Sequence, residues 1–581
     1  MRKKMNGAEI LIDGLKKEGV DTIFGYPGGV VIPIFDVLYS CREIKFLLTR
    51  HEQGAVHAAD GYARATGKVG VALVTSGPGA TNTITGIATA KLDSSPIVVI
   101  SGQVHTNNIG TDAFQETDMV GLTRSICKHN YLVKNILDLP HVLKEAFYIA
   151  RSGRPGPVSI DLPVDVVTAK LKNYNYPDDI KLPGYKPVLR GNPMQVEKLA
   201  RAINMAQKPL LYTGGGIVTA GTTEELRQLI DKTQIPVVVT LMGLGTVPYD
   251  HPCFLGMPGM HGRVAANKAL MECDLLIAIG VRFDDRVTGP RHTFAPNATV
   301  AHIDIDPAEI GKNVRTHIPV VGNAKNVLED LIEKVKPRVK NSWNERTEYW
   351  KEKYPLTYKK SKEEAISPQF VIERVNKFAG PETIVVTDVG QHQMWAALHY
   401  HHRQPRKFLS SGGLGTMGSG LPAAMGAALG KPENQVICIS GDGGIQMNIQ
   451  ELATCAINRI PVKLIVINNF YLGMVRQWQD LFWDKRYSQV CLLRSPDCPD
   501  ECHGPNENCP PHKYLPDLVK VAEANGLPGY RATSFSEVDE VLKKGLAHDG
   551  PVLMEFVVNR LENVFPMVSS GKPLSDIMMG E

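Results

Sequence analysis

The stretch Gly441-Asp-Gly-Gly-Ile-Gln-Met-Asn-Ile-Gln-Glu-Leu-Ala-Thr-Cys-Ala-Ile-Asn-Arg-Ile-Pro-Val-Lys-Leu-Ile-Val-Ile-Asn-Asn469 decides the fold. Just ahead of it, Val436 to Ser440 is a short apolar run bounded by turn formers, which reads as a buried strand. Gly441 to Gly444 turns the chain and opens a helix expected over Gln446 to Asn458, and Val462 to Ile467 is the next strand. In an open parallel sheet, ligands bind in the crevice at the carboxyl ends of the strands. The interval therefore predicts Asp442 and Asn469 side by side at that rim. One carboxylate, one amide oxygen and a nearby backbone carbonyl are hard oxygen ligands short of a full octahedron, suited to Mg²⁺ that also binds a diphosphate and water. Glycines beside Asp442 let backbone N–H groups approach phosphate oxygens.

Gly-Asp-Gly alone is a common strand-to-helix turn; the strand–helix–strand interval ending in Asn-Asn is the specific part. Together they resemble the thiamin-diphosphate fingerprint. Outward from this stretch, 581 residues suffice for three or four domains. A 43% apolar share with 21% charged residues is that of an ordinary globular protein, and a net charge of +4 implies neither nucleic acid nor an anionic membrane surface as partner. No apolar run reaches membrane-spanning length. The first residues enter a helical pattern at once, so a cytoplasmic protein is expected. Cys127, Cys273, Cys438 and Cys455 lie in apolar surroundings and read as packed thiols.

Short apolar runs alternate with helical patterns along the chain, which predicts an α/β protein of three doubly wound parallel-sheet domains. The expected units are 1–168, 190–336 and 366–560, with a tail over 561–581. Four prolines interrupt the linker Tyr174 to Pro193, and the charged stretch Pro337 to Lys362 reads as a connection on the surface. In the first unit Glu52 falls at a strand-to-helix turn. It is either a helix-dipole partner or a sequestered carboxyl that protonates N1′ of a thiamin aminopyrimidine, enabling loss of the C2 proton. Thr75-Ser-Gly-Pro-Gly-Ala-Thr-Asn82 is a glycine-rich turn, either structural or a backbone wall against cofactor and substrate.

Several longer motifs narrow the comparison: Gly25-Tyr-Pro-Gly-Gly29, Arg50-His-Glu-Gln-Gly54, Ile109-Gly-Thr-Asp-Ala-Phe-Gln-Glu116, Arg282-Phe-Asp-Asp-Arg286, Gly390-Gln-His-Gln-Met-Trp395 and Gly473-Met-Val-Arg-Gln-Trp478. Over nearly its whole length the chain resembles the large catalytic subunits of the acetohydroxyacid synthase (acetolactate synthase) family. The resemblance implies a pyrimidine-binding domain, a central FAD-binding domain and a diphosphate-binding domain, with the thiamin site shared between two subunits of a homodimer or dimer of dimers. It implies thiamin diphosphate, Mg²⁺ and FAD as cofactors. It assigns Glu52, Gln115 and Met417 to catalysis, Met417 as the apolar wedge that bends the cofactor. Val389, Gln391, His392, Gly443 and Gly444 would also contact thiamin diphosphate, and Asp442, Asn469 and the Tyr471 carbonyl would hold Mg²⁺. Arg154, His261, Arg282, Asp304 and Asn323 match FAD positions; Gly29, Phe114, Lys128, Arg286 and Trp478 match substrate positions.

The expected reaction decarboxylates pyruvate and condenses the two-carbon unit with pyruvate or 2-ketobutyrate. A separate small regulatory subunit is a further expected partner. A flavin-dependent pyruvate oxidase is the alternative within the same architecture, against which Arg282 to Arg286 and Gly473 to Trp478 argue. One loop departs from the family pattern: Cys491-x6-Cys498-x3-Cys502-x6-Cys509, with His503 and His512 close by. It reads as a proline-rich surface loop, a metal or cluster site, or a thiol switch.

Overall fold

A strand buried between two helical layers needs apolar side chains on both faces, and near-continuous Val/Ile/Leu runs supply them here. The computed structural model describes residues 4–358, 365–496, 498 and 516–580. The runs assemble into three six-stranded sheets, every pairing parallel. The first sheet runs, edge to edge, Lys45–Leu48, Thr22–Tyr26, Gly70–Val74, Ile97–Gln103, Val158–Pro163 and His129–Leu132. The third runs Phe408–Ser410, Ile384–Thr387, Val436–Gly441, Val462–Asn468, Val552–Val557 and Gly529–Ala532. Numbered within its own unit, each has the order 2-1-3-4-6-5. The central sheet differs: Phe254–Gly256, Val237–Val239, Pro209–Thr213, Leu275–Ile279, Thr299–Asp304 and Ile318–Val321 give 3-2-1-4-5-6. That is the usual dinucleotide-binding order, with its crevice between the first and fourth strands.

Two expectations change. The single helix predicted over Gln446 to Asn458 begins earlier, as Asp442–Ile445, passes through a 3₁₀ turn at Gln446–Asn448 and resumes as Glu451–Asn458. The segment Pro337 to Lys362 is more than a surface connection: its helix Ser342–Lys353 buries Trp343 and Trp350 against the central unit. Spacing of seven sets these two rings on one face, where they pack edge to face at 5.8 Å. Cys127, Cys273, Cys438 and Cys455 are buried thiols, as expected.

The first and third units share one continuous core. Helix Glu52–Thr66 lies on helix Gly420–Gly430, and their glycines let the backbones touch. A Cβ at Gly61 would overlap the Ala423 carbonyl, and one at Gly426 would overlap that of Ala58. Gly61→Ala is therefore expected to destabilise the protein by about 1–3 kcal/mol through overpacking. Thermal unfolding should show a lower midpoint, while Gly184→Ala, with open space around it, serves as the control.

Candidate active site

The strands Val436–Gly441 and Val462–Asn468 pair with Gly441 opposite Ile467, so Asp442 and Asn469 follow that pair by one and two residues at the same end of the sheet. Asp442 is buried, its Oδ2 has no hydrogen-bond partner, and burial raises its pKa to about 7. Backbone N–H groups, those of Gly443 and Phe470 among them, lower the value, and the Glu555 charge raises it further. Asn469 donates from Nδ2 to Gln391 Oε1 at 3.1 Å, and its Oδ1 accepts from the Tyr471 N–H at 3.0 Å. These bonds fix which end of the amide is the oxygen. A buried carboxylate with one unpartnered oxygen, beside an oriented amide oxygen, fits a hard divalent cation.

Next to this pair, helix Gln391–His399 starts behind Gly390 with no side-chain cap, leaving its first N–H groups available to an anion. His392 is buried, burial lowers its pKa to about 3, and its Nε2 has no partner. A neutral imidazole and free helix N–H groups suit a diphosphate. Gln391 contributes differently: its Nε2 donates to Gln477 Oε1 at 2.8 Å and to the Glu562 carbonyl at 2.9 Å. Its side chain thus braces Asn469. A Cβ at Gly444 would come within 2.6 Å of Asp388, and one at Gly443 within 2.9 Å of Leu472. The Met417 methyl stands 3.7 Å from that same Gly443 position.

A second constellation occupies the rim of the first sheet. His51, not Glu52, caps helix Glu52–Thr66, its ring accepting from the Gln53 N–H at 3.1 Å. The Glu52 carboxyl instead accepts from Asn82 Nδ2 at 3.0 Å and lies 3.2 Å from where a Gly79 Cβ would be. Gly77 abuts Gln115, which holds a left-handed φ of 61°, and Gly28 abuts Thr75. The Thr75 to Gly79 turn thus gathers Glu52, Gln115 and the Gly28-Gly29 segment. Phe114 is 88% exposed beside them.

Where the three units meet lies a cavity of about 1010 Å³. It takes in Arg154, His261, Arg282, Asp304, Asn323 and Arg286, together with Val389, Met417 and Trp478. It opens at the carboxyl ends of Pro209–Thr213 and Leu275–Ile279, the crevice that the central strand order creates. His261 is buried with an unpartnered Nδ1. Arg154 pairs with Glu309 at 2.7 Å, and Arg282 with Asp284 at 2.7 Å. Size, topology and donors fit an extended dinucleotide such as FAD. At one end the Arg286 guanidinium stacks 5.4 Å from the Trp478 ring centre. Glu52, Gly29, Phe114 and Gln115 do not line this cavity.

Comparison with known proteins agrees with this geometry. Three family descriptions match in order: "Thiamine pyrophosphate enzyme, N-terminal TPP binding domain" over 5–122, its "central domain" over 196–331, and its "C-terminal TPP binding domain" over 388–556. The acetolactate synthase large subunit IlvB1 of Mycobacterium tuberculosis is 48% identical over 583 residues, covering 99% of this chain and 91% of its own. The chain belongs to the acetolactate synthase large-subunit family. Other members include the large subunit of Haemophilus influenzae, 46% identical over 100% of this chain and 99% of its own. The probable large subunit of Methanocaldococcus jannaschii is 48% identical, with 99% and 95% covered.

Not every residue that resemblance to acetolactate synthases singles out reaches the cavity. The Lys128 ammonium donates to the carbonyls of Ile149 and Ser152 at 2.5 and 2.8 Å and to the Tyr185 hydroxyl at 3.0 Å, which secures the turn before Arg154. Burial lowers its pKa to about 7. Of the cysteine-bearing loop, the Cys491 backbone pairs with that of Tyr471 in an isolated antiparallel β-bridge, and the Cys498 sulfur accepts from the Ser495 N–H at 3.4 Å. Cys502, His503, Cys509 and His512 lie outside the described residues. Two residues that sequence reading passed over hold the site together. Asp388 accepts from the N–H groups of Val389, Gly418 and Gly420 at 2.7, 3.0 and 3.0 Å, folding the Met417 loop onto the rim. Its place at a strand end, just before Gly390-Gln-His, was an available signal. Gln477, fully buried, joins Gln391 to the backbone of Val564.

Proposed function

We propose that this chain is the catalytic subunit of an acetolactate synthase. It converts two pyruvates into 2-acetolactate and CO₂, or pyruvate and 2-ketobutyrate into 2-aceto-2-hydroxybutyrate, the first common step of branched-chain amino-acid synthesis. The observation that carries this reading is the stacked Arg286–Trp478 pair at the end of the cavity that also holds Met417. A planar guanidinium binds a carboxylate bidentately, and the indole beside it offers apolar contact to the acceptor's alkyl group. A flavin-dependent oxidase, the runner-up, has no second keto acid to hold.

Bound thiamin diphosphate supplies the electron sink for decarboxylation. Asp442, Asn469 and the Tyr471 carbonyl would hold Mg²⁺, while the Gln391 helix start, His392, Gly443 and Gly444 would receive the diphosphate. Met417 would press the cofactor into its bent form. Glu52 would hold a proton at N1′ of the aminopyrimidine. Gly29, Phe114 and Gln115 would close the pocket over the substrate and exclude water. As the resemblance to the family implies, Glu52 of one copy and Asp442 of another would build each site together, in at least a homodimer.

Residues 1–168 would then hold the pyrimidine, 190–336 the FAD, and 366–560 the diphosphate, with 561–581 as a tail. The protein would act in the cytoplasm; no helix among the described residues is long and apolar enough to cross a membrane. The relatives' designation as large subunits supports a separate small regulatory partner. Incubation with pyruvate, thiamin diphosphate and Mg²⁺ should yield acetolactate without oxygen uptake. Peroxide formation instead would establish the oxidase.

A further inference from the structure

Helix Glu451–Asn458 opens with a carboxylate that water does not reach, since Glu451 is fully buried. Its Oε1 accepts from the backbone N–H groups of Arg50 at 2.9 Å and His51 at 3.1 Å. Its Oε2 accepts from the Thr454 hydroxyl at 2.7 Å. Gly54 fits closely over the same group, where a Cβ would stand 2.6 Å from Oε1. Arg50 and His51 immediately precede Glu52, and His51 is the residue that caps its helix. A group from the third unit therefore holds the two peptides from which Glu52 emerges in the first.

The geometry points to Glu451 as the positioning residue of Glu52: a buried acceptor that fixes the peptides before it and so the direction its carboxyl takes. The inference rests on the reading of Glu52 as cofactor activator. Hydrogen bonds to a carboxylate are stronger than those to neutral acceptors, and two converging on one oxygen restrain both peptide planes. Displacing a reacting group by about 1 Å can cost on the order of 100-fold in rate. If Glu451 were only a staple between the units, its loss would lower stability and leave the activation step untouched.

The test compares Glu451→Gln, Glu52→Gln and the double variant, with Thr454→Val as a milder change that removes only the bond to Oε2. Three quantities are measured: amide hydrogen exchange around Arg50 and His51 in the cofactor-free protein, C2 proton exchange in bound thiamin diphosphate, and the thermal midpoint. Glu451→Gln should speed amide exchange at Arg50 and His51 and slow C2 exchange by about 10–100-fold, with cofactor still bound. Thr454→Val should shift both in the same direction by less, which keeps the test intact if Glu451→Gln does not fold. Adding Glu451→Gln to Glu52→Gln should slow C2 exchange no further, because the positioned group is already gone. Normal C2 exchange in folded Glu451→Gln, or additive losses in the double variant, would overturn the proposal. Normal exchange in Glu52→Gln would instead remove the activator reading, and this inference with it.

Discussion

Glu52→Gln is expected to lower turnover by about 10²–10⁴-fold, the usual contribution of one proton-transfer group. Thiamin diphosphate and Mg²⁺ should still bind, because Asp442, Asn469 and the start of helix Gln391–His399 are unchanged. Gln retains the shape of Glu and can still meet Asn82, which the Glu52 carboxyl contacts at 3.0 Å. It has no proton to place on N1′ at the moment of activation. Steady-state kinetics with pyruvate, together with titration of the cofactor by fluorescence, separates the two effects. Full turnover in this variant would contradict the assignment.

Asp442→Asn should weaken Mg²⁺ binding by on the order of 100-fold or more, since ligand charge tunes affinity for hard cations. Thiamin diphosphate retention should fall with it. The wild-type site should also show a pH signature. In the metal-free protein the Asp442 carboxyl titrates at about 7. That is above the unfolded carboxylate value of about 4, so the folded form binds more protons across this window and loses stability as pH rises through it. The cation offsets that loss by displacing the proton, so Mg²⁺ affinity should fall as pH drops below 7. Calorimetric titration at several pH values measures this directly. In Asp442→Asn the trend should vanish; a variant with wild-type affinity would exclude Asp442 as a ligand.

Much of this was legible in the chain. The strand–turn–helix–strand interval around Asp442 pointed to one rim because a parallel sheet aligns strand ends, and the register pairs Gly441 with Ile467, one and two residues before Asp442 and Asn469. The cavity residues Arg282 and Arg286 were visible as charged groups following an apolar strand. Glu451 was not: its partners Arg50 and His51 are about 400 positions away, and no local pattern marks a carboxylate whose acceptors are filled by another unit. The burial of Trp343 and Trp350 escaped because the charged face of their helix dominates its composition. Nor could composition reveal that Gln391 spends its amide on Gln477 and Glu562.

The tight seating of Gly61 on Ala423 and of Gly426 on Ala58 leaves little room for the first and third units to slide on each other at this helix pair. If two copies share each vitamin-derived molecule, the joint between copies is the one that must open to admit or release it. Loading and escape of that molecule would then track how often the assembly breathes or comes apart. Dilution, rather than any hinge within a subunit, becomes the natural control over how long the enzyme stays charged.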